Sequence, residues 1–88
     1  MTATDDAAAL TAFIRERLVP RELQDRFDET SPLLEWGVLD SISTAVLLGF
    51  IRRELGVIVP AAQIEPANFA DARSVAAMVR RLAPLTPG

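Results

Sequence analysis

Apolar residues fall at helical spacing in three separate stretches of this chain, and no stretch reads convincingly in the two-residue rhythm of a strand. Leu10, Phe13, Ile14 and Leu18 make the first stripe. Thr44, Leu48, Ile51 and Leu55, widened by Leu47 and Phe50, make the second. Val75, Met78, Val79 and Leu82 make the third. Each stripe must be covered, and in 88 residues the stripes can cover one another. The spacing therefore predicts an all-α fold, a small four-helix bundle of three longer helices and one short one with a long first loop.

The boundaries follow from punctuation. A first helix is predicted over residues 5–19, with Thr4 as cap, Asp5 and Asp6 at the positive end of the helix dipole, and Pro20 forcing its end. A second is predicted over 41–55, stopped by Gly56 with Arg52 and Arg53 in its last turn. Residues 57–60 are expected to be extended by the β-branched Val57, Ile58 and Val59. A short helix is expected over 64–69, and a last one over 71–82, capped by Asp71 with Arg80 and Arg81 at its C-terminal end. Residues 83–88, with Pro84 and Pro87, form a mobile tail. The whole of 1–88 is expected to be one domain.

Residues 20–40 make an unusually long connection for so small a domain. It carries Leu23, Phe27, Leu33, Leu34, Trp36, Val38 and Leu39, too apolar a set for a free linker, and is expected to fold back over the core. Its acids, Asp25, Asp28, Glu29 and Glu35, are expected to form a solvated face, because their spacing lacks the regular ligands and glycine turn of a calcium loop.

Composition narrows the function. The nine basic residues are all arginine; lysine, histidine, tyrosine and cysteine are absent. Most general bases and covalent nucleophiles are therefore missing, and the chain is not expected to be an enzyme. Hydrolysis by Asp40 and Ser41 would lack a base to activate the serine. The arginines are interleaved with acids in a chain of net charge −3, which gives no nucleic-acid footprint. No apolar run reaches the ~20 residues that cross a bilayer, and the acidic N-terminus does not read as a signal peptide. A cytoplasmic monomer, away from membranes, is the expectation.

The informative stretch is Gly37-Val38-Leu39-Asp40-Ser41-Ile42, which ends the loop and opens the second helix. A serine there projects from the end of the bundle, where free N–H groups and the helix dipole favour a phosphate. Asp40 beside it is placed to help position a metal or a modifying enzyme. Asp-Ser before an apolar helix is also an ordinary capping pair.

The wider context resembles the acyl and peptidyl carrier protein family from Leu33 to Leu82. The shared pattern is a loop ending in Asp-Ser-Ile and an apolar helix closing in Arg-Glu-Leu-Gly-Val. An extended Val-Pro, then Ile64 and Pro66-Ala67-Asn68-Phe69, lead to a final apolar helix. The resemblance implies that Ser41 is the attachment point of 4′-phosphopantetheine, with Asp40 flanking it. No metal site and no catalytic residue is implied within the chain. It implies a carrier that holds an aminoacyl or acyl building block as a thioester and shuttles it in a nonribosomal peptide or polyketide type of natural-product pathway. The implied partners are a phosphopantetheinyl transferase, an adenylating ligase or acyltransferase that loads the arm, and a downstream synthase, condensing or tailoring enzyme. The alternatives are a carrier of ordinary fatty-acyl chains and an unmodified helical interaction domain.

Two departures refine this. Fatty-acid carriers usually have one residue between glycine and aspartate, and here there are two, Val38 and Leu39, as in stand-alone carriers of aminoacyl groups or unusual extender units. The outer face of the second helix, acidic in fatty-acid carriers, here offers Ile42, Val46, Gly49 and Arg53, with Arg52 beside it. With Leu39 and Trp36 these are the candidate docking residues, giving an apolar contact with an arginine rim. Ile42 and Val46 are also readable as core, and Trp36 as a plug that packs the loop.

Overall fold

The computed structural model describes residues 3–83 of the chain, with side chains from Asp6 onward. Three α-helices order them: α1 (Ala3–Arg17), α2 (Ser41–Phe50) and α3 (Ala72–Leu82). Short 3₁₀ turns lie at Arg21–Arg26, Ala61–Gln63 and Pro66–Phe69, and no strand occurs among the described residues. The all-helical bundle expected from the stripes is the architecture found.

α1 and α3 form the main helix pair. Leu10 and Ile14 of α1 meet Val75, Met78 and Val79 of α3, all fully buried or nearly so, while the small Ala72 and Ala76 close the remaining space. α1 begins at Ala3, so Thr4 lies inside the helix and is not its cap. It also ends two residues before the expected Val19. Both Leu18 and Val19 donate to the Ile14 carbonyl, at 2.9 and 3.0 Å, because the residue before Pro20 is pushed out of the helical region. α3 opens as expected on Asp71, whose carboxylate accepts the Ser74 N–H at 2.8 Å. Arg80 and Arg81 lie in the last turn of α3 as expected, and Arg81 also donates to the Asn68 side chain at 3.0 Å, tying the preceding turn to the helix. The proposed tail, residues 84–88, lies outside the described residues.

The face of α2 differs from expectation. Leu47 and Ile51 are fully buried, and Leu48, expected to face inward, is only half-buried. Beyond Phe50 the chain continues as a wide π turn, Ile51–Leu55, closed by Gly56 at φ +71°, whose N–H reaches the Ile51 carbonyl. The wider turn carries Leu55 off the line through Leu47 and Ile51, so the buried stripe is centred one residue earlier than a uniform helix would place it. The expected short helix over 64–69 is a single 3₁₀ turn, Pro66–Phe69, which buries Phe69, and a separate 3₁₀ turn, Ala61–Gln63, precedes it.

The loop before α2 does fold over the core, burying Phe27, Leu33 and Val38. Two backbone bonds tie it to the start of α3: Leu33 N–H to the Ala70 carbonyl at 2.8 Å and Arg73 N–H to the Glu29 carbonyl at 3.1 Å. Its acids, Asp25, Asp28, Glu29 and Glu35, are exposed as expected, and two of them also make local contacts. The Asp28 carboxylate accepts from the Thr30 N–H at 2.8 Å and the Thr30 hydroxyl at 2.7 Å, and these bonds hold its pKa below the ordinary value. Glu29 pairs with Arg73 at 3.5 Å. Both hold the loop's shape.

Candidate functional site around Ser41

The backbone sets the position of Ser41 within a few residues. Gly37, at φ +70°, makes the turn that lets the Val38 N–H return to the Leu33 carbonyl at 2.9 Å. Val38 is thereby buried, Leu39 is half-buried, and Asp40 emerges as the N-cap of α2. The Asp40 carboxylate accepts the Ser43 N–H at 2.7 Å, and its carbonyl accepts the Thr44 N–H at 2.9 Å. That bond to Ser43 is the main cause holding the Asp40 carboxyl below its ordinary pKa, so it is ionised at neutral pH. Ser41 is the first residue of the ten-residue helix and is exposed. Its hydroxyl is presented at the positive end of α2 with Asp40 already committed to the cap.

The candidate docking residues do not form one patch. Ile42 is 76% exposed and Val46 42%, so neither contributes to the core. Together with Arg53 they line a groove of about 350 Å³, whose other wall is Phe13 and Arg17 of α1 and Leu18 just beyond it. Gly49 lies beneath Arg53. Arg52 is exposed and does not line that groove. Leu39 faces a second, smaller cavity of about 150 Å³ with Leu34, Thr44, Ile64 and Phe69. Trp36 is half-buried against the core and meets Phe27 edge to face, ring centroids 6.2 Å apart. The contribution of α1 was not legible in the sequence: Phe13 stacks on Phe50 at 4.1 Å, and with Arg17 it lines the groove.

Residues 13–82 match the family model described as the phosphopantetheine attachment site. The chain belongs to this family of carrier proteins. The carrier is also 39% identical over 59 residues to the probable acyl carrier protein PigG of Serratia sp. (strain ATCC 39006), a match covering 67% of this chain and 68% of that protein. A solved structure described as a crystal structure of FAD-dependent dehydrogenase contains a similar chain. The TM-score is 0.76 and the identity 37%, over 81% of this carrier and 99% of that chain. The prosthetic group of the carrier is 4′-phosphopantetheine, and carriers of this family work with a phosphopantetheinyl transferase and biosynthetic enzymes. The residues present fit such a group: an exposed hydroxyl at a helix N-terminus can take a phosphodiester without disturbing any buried contact. No helix among the described residues is long and apolar enough to cross a membrane.

Proposed function

We propose that Ser41 carries the 4′-phosphopantetheine and that this chain acts, without catalysis of its own, as the carrier of an aminoacyl or small acyl unit in a natural-product pathway of the nonribosomal peptide or polyketide type. The observation that supports it is the exposed Ser41 hydroxyl at the first position of α2, beside an aspartate already held as the cap. Ser41 receives the phosphodiester, with the base and metal supplied by the transferase. The bound group supplies a thiol that holds the cargo as a thioester. The N-terminal turn of α2 stabilises the phosphodiester charge, and the apolar face beginning at Ile42 meets partner enzymes.

The core supports a small cargo over a long acyl chain. Ile51 and Val75 are fully buried, and neither lines the cavities on α2. The cavity beside Leu39 is only about 150 Å³, below the ~300 Å³ of an ordinary ligand pocket, and the groove of about 350 Å³ lies at the surface, lined by the exposed Ile42 and Val46, rather than in the core. The similarity to a carrier-sized chain in a structure described as an FAD-dependent dehydrogenase supports a flavin-dependent dehydrogenase as the tailoring partner. Such an enzyme would withdraw two electrons and two protons from the carried unit.

Intact mass tests the attachment. The protein and Ser41→Ala are incubated with coenzyme A, magnesium and a broad-specificity phosphopantetheinyl transferase. A gain of one phosphopantetheine by the native chain alone is expected. No gain, with a control carrier modified in the same tube, would leave an unmodified interaction domain whose Asp40-Ser41 is only a cap.

A further inference from the structure

The groove between α1 and α2 begins one residue from Ser41 and has a character that the second helix alone does not explain. Its floor is apolar, from Phe13, Leu18, Ile42 and Val46. Its rim is two guanidinium groups from different helices. Arg17 stands over the Phe13 ring at 6.0 Å, a cation–π contact that holds it at the groove edge. Arg53 folds back along α2, and its Nη1 would lie 3.1 Å from a Cβ at position 49; glycine leaves that space for it.

Neither arginine has an ion-pair partner among the described residues, where the one pair is Arg73 with Glu29, away from this groove. Glu16 and Glu54 adjoin the two arginines in sequence but do not reach them. No carboxylate lines the groove. The protein as a whole carries a net charge of −3, so an acidic surface is repelled by most of the molecule and admitted here.

Building on the reading of Ser41 as the attachment point, we propose that this groove docks an enzyme surface that presents an apolar side chain flanked by carboxylates. The apolar side chain covers Ile42 and Val46, and the carboxylates meet Arg17 and Arg53. The polarity is the reverse of an acidic carrier helix meeting a basic partner. Partners matched to this carrier would then be distinguished from those of acidic carriers by charge as well as by shape.

The test uses two short helical peptides with the same central leucines, one flanked by glutamates and the other by lysines. Each is titrated into the isotopically labelled full chain, unmodified and phosphopantetheinylated, with amide shifts read by NMR. The glutamate peptide is expected to shift the amides of Arg17, Ile42, Val46 and Arg53 and to bind about tenfold more tightly than the lysine peptide at low salt, with the preference fading as salt rises. Arg17→Glu combined with Arg53→Glu should invert the preference, and Gly49→Ala, which displaces Arg53, should reduce it. Equal binding, preference for lysine, shifts confined to Ile58 or Ile64, or no saturable shift from either peptide at millimolar concentration would each overturn the proposal. Because the unmodified chain is titrated as well, loss of the docking site and failure of Ser41 to be modified are separate results.

Discussion

Truncating neighbouring leucines of α2 should have unequal consequences. Leu47 is fully buried in the cluster that joins α2 to α1 and α3, whereas Leu48 is half-buried at its margin. Leu47→Ala removes a side chain from water-free surroundings and leaves a cavity, a change that costs about 3–5 kcal/mol. Leu48→Ala, with part of its surface already in water, should cost less, about 1–2 kcal/mol. A domain of this size holds only roughly 4–13 kcal/mol in total. At about 4–8 °C per kcal/mol, Leu47→Ala should lower the thermal midpoint by more than ~12 °C and Leu48→Ala by less than ~16 °C. Urea unfolding followed by circular dichroism gives the free energies directly, provided the slope is unchanged between variants. An equal or larger loss for Leu48→Ala would refute the placement of Leu47 at the centre of the buried face. It would restore the stripe of Thr44, Leu48, Ile51 and Leu55 expected from uniform helical spacing.

Ser41→Ala should retain the native circular dichroism spectrum and thermal midpoint, since the exposed hydroxyl makes no contact that the fold needs; a gross loss of helicity would contradict this. Gly56→Ala should cost about 1–2 kcal/mol in urea, because φ +71° strains any side chain. Gly49→Ala should be neutral or gain up to ~1 kcal/mol in helix propensity, since only the flexible end of Arg53 must move. Asp28 and Asp40 both have folded-state pKa values below 3.8, so the stability they confer is complete above that pH and is lost as pH falls through their folded values. Thermal midpoints should therefore drop below about pH 4, and Asp28→Asn should flatten that drop.

The helices were legible where one residue type carries the signal alone. Asp71, Gly56 and the Asp40-Ser41 pair each mark a boundary by local chemistry, and the structure has a boundary at each. The stripe of α1 was legible at its centre, where Leu10 and Ile14 are fully buried, while Phe13 and Leu18 pack at the margin of the core. The stripe of α2 was displaced because a helix apolar nearly all round gives little phase information. The π turn at Ile51–Leu55, which shifts the phase, has no sequence mark of its own. The burial of the loop was visible in its composition, but the work of Asp28 and Glu29 was not. Their partners are defined by the turn at Thr30 and by the arrival of α3, and neither follows from spacing. At the candidate site the serine was visible and the groove was not, since a groove needs two helices and the sequence describes one at a time.

Only Leu39 stands between the backbone bond that fixes Val38 and the carboxylate cap on Asp40. On the proposed attachment at Ser41, the polypeptide contributes almost no slack, and a cargo held there could move only as far as the prosthetic arm extends. Two enzymes further apart than that cannot be served from one fixed position. The protein itself has to be released by the first and recaptured by the second, so throughput would be governed by how quickly each enzyme lets go of it.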